Sequence, residues 1–340
     1  MMTDLATEYM GLRLRNPVVA SASPLCGDVA KIVALAEYGA AAVVLPSLFE
    51  EQIEAETHAL QRHMSVGSNS FAEALSYFPK PESYMLGTAR YLDLIRRARA
   101  AVDIPVIASL NGITGHGWVE YARQIEDAGA SGLELNIYFI PADLTLGALD
   151  VEARYADIVA GVTYAVKIPV AVKLAPYFSA FGTMAQRLAK SGARALVLFN
   201  RFYQPDIDVA QLSLRHDLEL SNPNDIRLPL LWIALLHGNV PLSLAASSGV
   251  QSSEEVIKYV LAGADVVMTT SALLRNGVEH IASLVDGLQF WLDANGFRSV
   301  EAARGMFSHA RVADPTAFER ANYVHVLHSY AAREPRAAVS

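Results

Sequence analysis

IPVIASLNGITGHGWVEYARQIEDAGASGLELN, Ile104–Asn136, contains one complete step of a repeating pattern. It opens on a proline-led apolar run from Pro105 and passes through a helix-like stretch around Trp118 and Tyr121. It closes on the pair Gly129-Ala130, which leads into a second apolar run ending at Asn136. Proline can open a strand where no ladder donor is needed, and glycine just past a helix end tolerates a left-handed backbone. The step recurs from NPVVASA at Pro17 to EYGAAAVVLP at Gly39, from IPVAVKLA at Pro169 to KSGARALVLFN at Gly192, and from VPLSLAAS at Pro241 to LAGADVVMTT at Gly263. Each Pro-to-Gly interval is 22 to 24 residues, the length of one strand, a loop and a helix. Four such βαβ steps give eight parallel strands.

Strands written as near-continuous Val/Ile/Leu/Ala runs are covered on both faces, and eight of them close naturally into a (β/α)8 TIM barrel of the α/β class. An open doubly wound sheet is the alternative with the same elements. TEYMGLRLRNP, before the first strand, reads as a short N-terminal hairpin that could plug the barrel's bottom. The interval from Pro46 to Tyr84, with QRHMSVGSNSFAEALSYFPKPESY, is too long for a simple connection and reads as a lid or binding excursion. After Asn295 a C-terminal helical tail has two short patterns, Val300 to Met306 and Pro315 to Leu327. The expectation is a single domain over 1–340, with its βα units over about 17–295 and its tail over 296–340.

Composition narrows the function. With 52% hydrophobic and 18% charged residues the chain is globular, and a net charge of -8 without a Lys/Arg block disfavours nucleic acid and anionic membrane as partners. The single cysteine, Cys26, excludes a disulfide framework and any self-contained iron-sulfur or cysteine-based zinc site. MMTDLATEYM has no basic end or apolar centre of a secretory signal, and the most apolar run, Leu228 to Leu236, is too short to span a bilayer. A cytoplasmic protein acting on a small molecule is expected.

In such a barrel the chemistry sits where the strands stop. Those positions are Ala20 to Ser23, Pro46-Ser47, Ser109 to Asn111, Asn136, Lys173, Asn200, Ser247 to Gly249, and Thr269 to Ser271. Asparagine amides and a lysine at one mouth suit a planar heterocycle with carbonyl and ring-nitrogen groups. Lys173 interrupts an otherwise apolar run, so its charge must meet a ligand or a carboxylate such as Glu134. A flavin, whose reduced form carries negative charge near N1 and O2, is one such ligand. ASSGVQSSEEV and TTSALLRNG offer small residues and backbone N–H groups at helix starts, where barrels hold phosphate. Ser252 or Ser253 ahead of Glu254-Glu255 is equally an ordinary N-cap.

The order of these strand ends resembles the FMN-dependent dihydroorotate dehydrogenases and the related domain of dihydropyrimidine dehydrogenase. NPVVASASP is similar to the family's NP…ASAxP strand, IASLNGITGHGW to its ASI segment, GASGLELN to GADALELN, IPVAVKL to its lysine strand and AGADVV to its last strand; the likeness runs roughly from Met10 to Gly277. The resemblance implies an FMN site using Ala20, Ser21, Ser109, Asn136, Lys173, Asn200, Ser248, Gly249, Thr270 and Ser271, with Lys173 at flavin N1 and O2. It implies Asn69, Asn136 and Asn200 around a dihydropyrimidine-like substrate, a soluble electron acceptor or redox partner protein, and a homodimer in pyrimidine biosynthesis.

The chain also departs from the family. Where the family has a lysine on the second strand, Pro46 or Ser47 stands, and the two phosphate motifs read Ser248-Gly249 and Thr270-Ser271. Where ELNxSCPN supplies a cysteine or serine base, this chain reads ELNIYFIP. Phe139 cannot accept a proton, which leaves Tyr138 as the replacement base, and a tyrosine near pKa ~10 needs a cation such as Lys173 or Arg201 to serve at neutral pH. FNRFYQPDID adds Arg201, Phe202, Tyr203, Asp206 and Asp208 beyond Asn200 and reshapes the mouth.

Other residues have plain readings. Cys26 is expected to be a buried structural thiol, Trp118 and Tyr121 to pack against the barrel, and His63, His116 and His237 lack metal-ligand spacing. Three functions stand open: an FMN-dependent oxidoreductase acting on a CH–CH bond of a dihydroorotate-like substrate, a flavin-binding electron-transfer or partner protein without the ancestral activity, and a phosphate-binding barrel lyase or isomerase without flavin.

Overall fold

A computed structural model of the chain describes residues 3–51, 87–112, 115–201, 205–215 and 217–331. Eight parallel strands close into a barrel, each beginning within three residues of the proline or glycine that announces it. They are β3 (Val18–Ala20), β4 (Ala42–Phe49), β5 (Val106–Gly112), β6 (Gly132–Ile137), β7 (Val170–Leu174), β8 (Ala195–Leu198), β11 (Ser243–Ser247) and β12 (Val266–Thr269). β12 pairs with β3 to close the ring, which rules out the open sheet. Gly39, Gly129, Gly192 and Gly263 all have positive φ, from 91° to 123°, as the reading of those glycines as helix stops requires.

Side chains on the strands divide by parity. Val18, Ala20, Val43, Leu45, Val106 and Ala108 point outward into the core beneath the helices. That core takes the apolar stripe of each helix: Tyr91, Leu94, Ile95 and Ala98 from α2 (Thr88–Ala101), and Phe181, Met184, Ala185 and Leu188 from α5 (Phe181–Lys190). Each such leucine or isoleucine contributes about 1.5–3 kcal/mol by leaving water. The alternate residues, among them Val19, Val44, Ile107, Ala171, Val197, Ala245 and Met268, form a second cluster inside the barrel.

These inward residues are small for a barrel interior, and the N-terminal hairpin completes the filling. β1 (Thr7–Tyr9) and β2 (Leu12–Leu14) pair antiparallel through Met10-Gly11, both at positive φ (56° and 82°), the turn geometry that matches strand twist. Tyr9, Met10 and Leu14 are buried in the interior cluster, so the hairpin is the expected plug.

The excursion after β4 falls mostly at 52–86, outside the described residues. β4 carries a register shift between Val44 and Ser47, at the position where Pro46 removes a ladder donor. A small antiparallel pair, β9 (Asp206–Asp208) and β10 (Ser213–Arg215), interrupts the step between β8 and α6 (Arg227–Leu236). In the tail, the first pattern is the short α10 (Val300–Ala303), and the second divides into a 3-10 turn at Pro315–Phe318 and α11 (Arg320–Ala331). No helix among the described residues is long and apolar enough to cross a membrane.

Candidate active site

A cavity of about 710 Å³ opens at the C-terminal ends of the barrel strands. That is within the range of small-molecule sites. Strand parity sets its floor. Because Asn136 and Lys173 are partners on adjacent strands β6 and β7, both side chains rise on the inner face beside each other. Glu134, two residues before Asn136, lies on the same face one layer lower.

Lys173 and Glu134 answer one question left by the sequence. Lys173 Nζ is 3.6 Å from Glu134 Oε1, and both residues are buried, Glu134 almost completely. Among the described residues neither carboxylate oxygen has a hydrogen-bond partner. The lysine is therefore charge-matched from below and still lines the cavity from its floor. The pairing with a strand-end carboxylate is present, and the same side chain keeps a place on the cavity.

Beside it, Asn200 donates from Nδ2 to Asn136 Oδ1 at 2.8 Å, which orients both amides at the mouth. The Ser47 and Ser109 hydroxyls are 2.8 Å apart, and the Tyr91 hydroxyl accepts from Ser109 N at 2.8 Å and donates to its carbonyl at 3.1 Å. Burial raises the Tyr91 hydroxyl pKa well above that of an ordinary tyrosine, so it stays protonated. Ser47 and Tyr91 line the cavity, whereas Ser109 is wholly buried beneath them.

The far wall is built by the ends of β11 and β12. Ser248 and Gly249 both take positive φ, 81° and 78°, and turn the chain across the strand end. A Cβ on Gly249 would come within 2.7 Å of Ile226 N, so this position needs glycine for space as well as conformation. Tyr259 donates to Ser248 O at 2.8 Å from behind, and Thr270 donates to Ser21 O at 3.4 Å. Ser271 is already engaged, its hydroxyl 2.7 Å from that of Ser221. An anion here would meet the Ser248-Gly249 turn and neighbouring backbone more than the Ser271 hydroxyl.

Ser21, Asn136, Lys173, Asn200, Ser248, Gly249, Thr270 and Ser271 are brought together on one cavity. Ala20 is buried with its side chain in the outer core and is not among the described residues lining the cavity. Asn69 lies outside the described residues, as do Phe202, Tyr203, His63 and the His116 side chain. Tyr138 is half-buried just past β6 and is not among the described residues lining the cavity. Its neighbour Phe139 packs against the outer core, with the Arg154 guanidinium 4.3 Å from its ring centre.

Cys26 is buried with its thiol 3.5 Å from Ser21 O, and burial pushes its pKa up to about 12. Such a thiol is no nucleophile at neutral pH. Trp118 is buried and Tyr121 half-buried in the outer core. His237 Nδ1 is 3.1 Å from Gly263 O, and desolvation lowers its pKa. Among the described residues no group of three or more His, Cys, Asp or Glu is placed to hold a metal.

Sequence reasoning missed the segment Leu218 to Ser221, which lines the cavity from between β10 and α6. Arg275 of α8 (Ser271–Asn276) clamps it, donating to Ser221 O at 2.7 Å and Leu220 O at 3.1 Å, and also to Gln251 Oε1 at 2.7 Å. The turn signal NPND marks where this segment ends, with Asn222 Oδ1 accepting from Asn224 N. No local pattern says that it folds over the mouth.

The donor set fits a flavin mononucleotide: a floor cation for an electron-rich ring edge, paired amides for ring carbonyls and nitrogens, and a glycine-containing turn for a phosphate. Comparison with known proteins points the same way. A family model described as dihydroorotate dehydrogenase matches residues 84–292, more than half of the chain. A putative dihydroorotate dehydrogenase A (fumarate) of Aeropyrum pernix is 32% identical over 205 residues, covering 58% of this chain and 66% of the relative. The dihydroorotate dehydrogenase B (NAD(+)) catalytic subunit of Anoxybacillus flavithermus is 28% identical over 306 residues, 85% of this chain and 93% of its own. The corresponding subunit of Thermoplasma acidophilum is 24% identical, with coverages of 90% and 99%.

Proposed function

The chain belongs to the dihydroorotate dehydrogenase family, and from that premise we propose that it is an FMN-dependent oxidoreductase acting on a CH–CH bond of a dihydroorotate-like dihydropyrimidine. The observation that carries this reading is the cavity floor, where Lys173 stands over Glu134 and beside the Asn136–Asn200 amide pair. Bound FMN would supply the acceptor for the hydride leaving the substrate.

The protein's own part is binding and orientation. Lys173 would hold a positive charge toward the electron-rich edge of a bound flavin ring, in a site where a cation is worth far more than in water. Asn136 and Asn200 would hold ring carbonyls and nitrogens of flavin or substrate, and their mutual hydrogen bond restricts their rotamers. Ser21 and the backbone of Ala20 would take one edge of a bound flavin, with Ser109 supporting the floor through Ser47. The Ser248-Gly249 turn, with the neighbouring backbone at Thr270 and Ser271, would take the phosphate. The segment Leu218 to Ser221 limits access of water to the wall it covers.

The proton that leaves with the hydride needs an acceptor, and Tyr138 is the candidate in the loop where the family keeps its base. Tyr138→Phe is expected to abolish reduction by substrate and to leave reduction by dithionite intact. The reading itself is tested by mixing purified protein anaerobically with dihydroorotate, when the oxidised flavin band should bleach. A band that stays oxidised would reject this substrate.

One observation favours a second reading. Tyr138 does not line the described cavity, and Phe139 is anchored in the outer core. A flavin protein that exchanges electrons with a partner without oxidising a dihydropyrimidine would have no use for a base there. Flavin reduced by dithionite but inert to reduced pyrimidines would select this reading. In either case the electron acceptor is a diffusible molecule or a redox protein. We place the protein in the cytoplasm as a homodimer, and the exposed Tyr323, Val324 and Leu327 of α11 support such an interface.

A further inference from the structure

Arg201 follows Asn200 at the end of β8 and lines the cavity. Its Nη1 is shut off from solvent and has no hydrogen-bond partner among the described residues. A guanidinium is always protonated, and a buried donor left unmatched costs about 1–3 kcal/mol, more when charged. Lys173, the neighbouring cation of the lining, differs in having its counter-charge in Glu134. Glu51 and Glu219 line the same cavity, yet no ion pair among the described residues joins Arg201 to either.

We propose that Arg201 is a specificity-determining residue that binds a carboxylate of the substrate and selects acids over their neutral analogues. A carboxylate offers two acceptor oxygens to the planar fork of donors, and its negative charge supplies the pairing that the described residues leave open. The position suits the task. Arg201 is one residue beyond an amide of the floor, so a ring held by Asn136 and Asn200 can direct an acid substituent toward it. The inference rests on the cavity being the substrate site and does not depend on the redox step.

The test is calorimetric titration of the flavin-loaded protein with matched pairs, orotate against uracil and benzoate against benzamide. In the unaltered protein the acid of at least one pair is expected to bind about tenfold or more tightly than its neutral partner. Arg201→Gln should bring that pair to within about twofold, and Arg201→Lys should keep part of the preference. An unchanged melting temperature and circular dichroism spectrum would show that the variants fold. Equal binding of acid and neutral, no binding of either acid, or a preference that survives Arg201→Gln would each overturn the proposal. An acid preference lost in Arg201→Gln, in a protein whose flavin dihydroorotate does not bleach, would sustain the specificity role and reject the dehydrogenase substrate alone.

Discussion

Lys173 has two obligations, and they can be separated. Removing it alone leaves Glu134 buried and unpaired, so Lys173→Met is expected to cost about 3–5 kcal/mol of stability, read by denaturant unfolding, together with loss of flavin. The double variant Lys173→Met with Glu134→Leu removes the orphan charge as well and should recover most of that stability. It should not recover flavin. Lys173 was legible in the sequence because a charge inside an apolar strand has to be matched. The Asn136–Asn200 bond and the Arg201 nitrogen were not, since both depend on where β6 and β8 end relative to each other across the barrel. Tyr138 shows the same limit in reverse: its chemistry made it the candidate in its loop, and only the fold shows that it stands outside the described cavity lining.

At the scale of elements, the hairpin and the mouth segment make opposite cases. The hairpin could be read because TEYMGLRLRNP alternates around a turn, and it fills a barrel whose inward residues are small. Leu14, almost fully buried, is expected to cost about 2–5 kcal/mol as Leu14→Ala in chemical denaturation. The segment Leu218 to Ser221 carries no such pattern. Its placement comes from Arg275 donating to two of its carbonyls. Arg275→Ala should therefore raise the substrate KM by about two- to tenfold while leaving kcat within about twofold, since only the wall loosens. A fall in kcat without a change in KM would assign Arg275 to the chemical step instead. The β9–β10 pair was likewise unseen, because residues 206–215 have neither a long apolar run nor a strong turn dipeptide.

At the scale of the whole molecule, the fold was legible because it repeats: one Pro-to-Gly spacing, used four times, specifies eight strands and their order. The parts that join the two ends of the chain to the barrel do not repeat. Asp265 is their junction, pairing with Arg304 of the tail through one oxygen and accepting from Leu244 N at 2.7 Å through the other. Thr7 of the hairpin donates to the Asp265 carbonyl at 3.0 Å. Burial pushes the Asp265 pKa up to about 6, against the opposing pull of Arg304. A carboxyl whose folded pKa exceeds its unfolded value contributes most to stability below the unfolded value, near pH ~4, and loses that contribution as pH rises to about 6. Thermal melts of Asp265→Asn and the unaltered protein should accordingly differ in slope between pH ~4 and ~6, with the variant lacking this group's decline. Parallel slopes would show that Asp265 does not titrate in that window.

The central claim is that the barrel mouth binds FMN around Lys173. Its most direct test is the flavin released from purified protein on denaturation, measured for the unaltered chain and for the folded double variant Lys173→Met with Glu134→Leu, each incubated with FMN and desalted. The expected result is about one FMN per chain in the first and little or none in the second. A colourless unaltered protein, or a double variant that holds FMN as tightly as its parent, would contradict the assignment of the site.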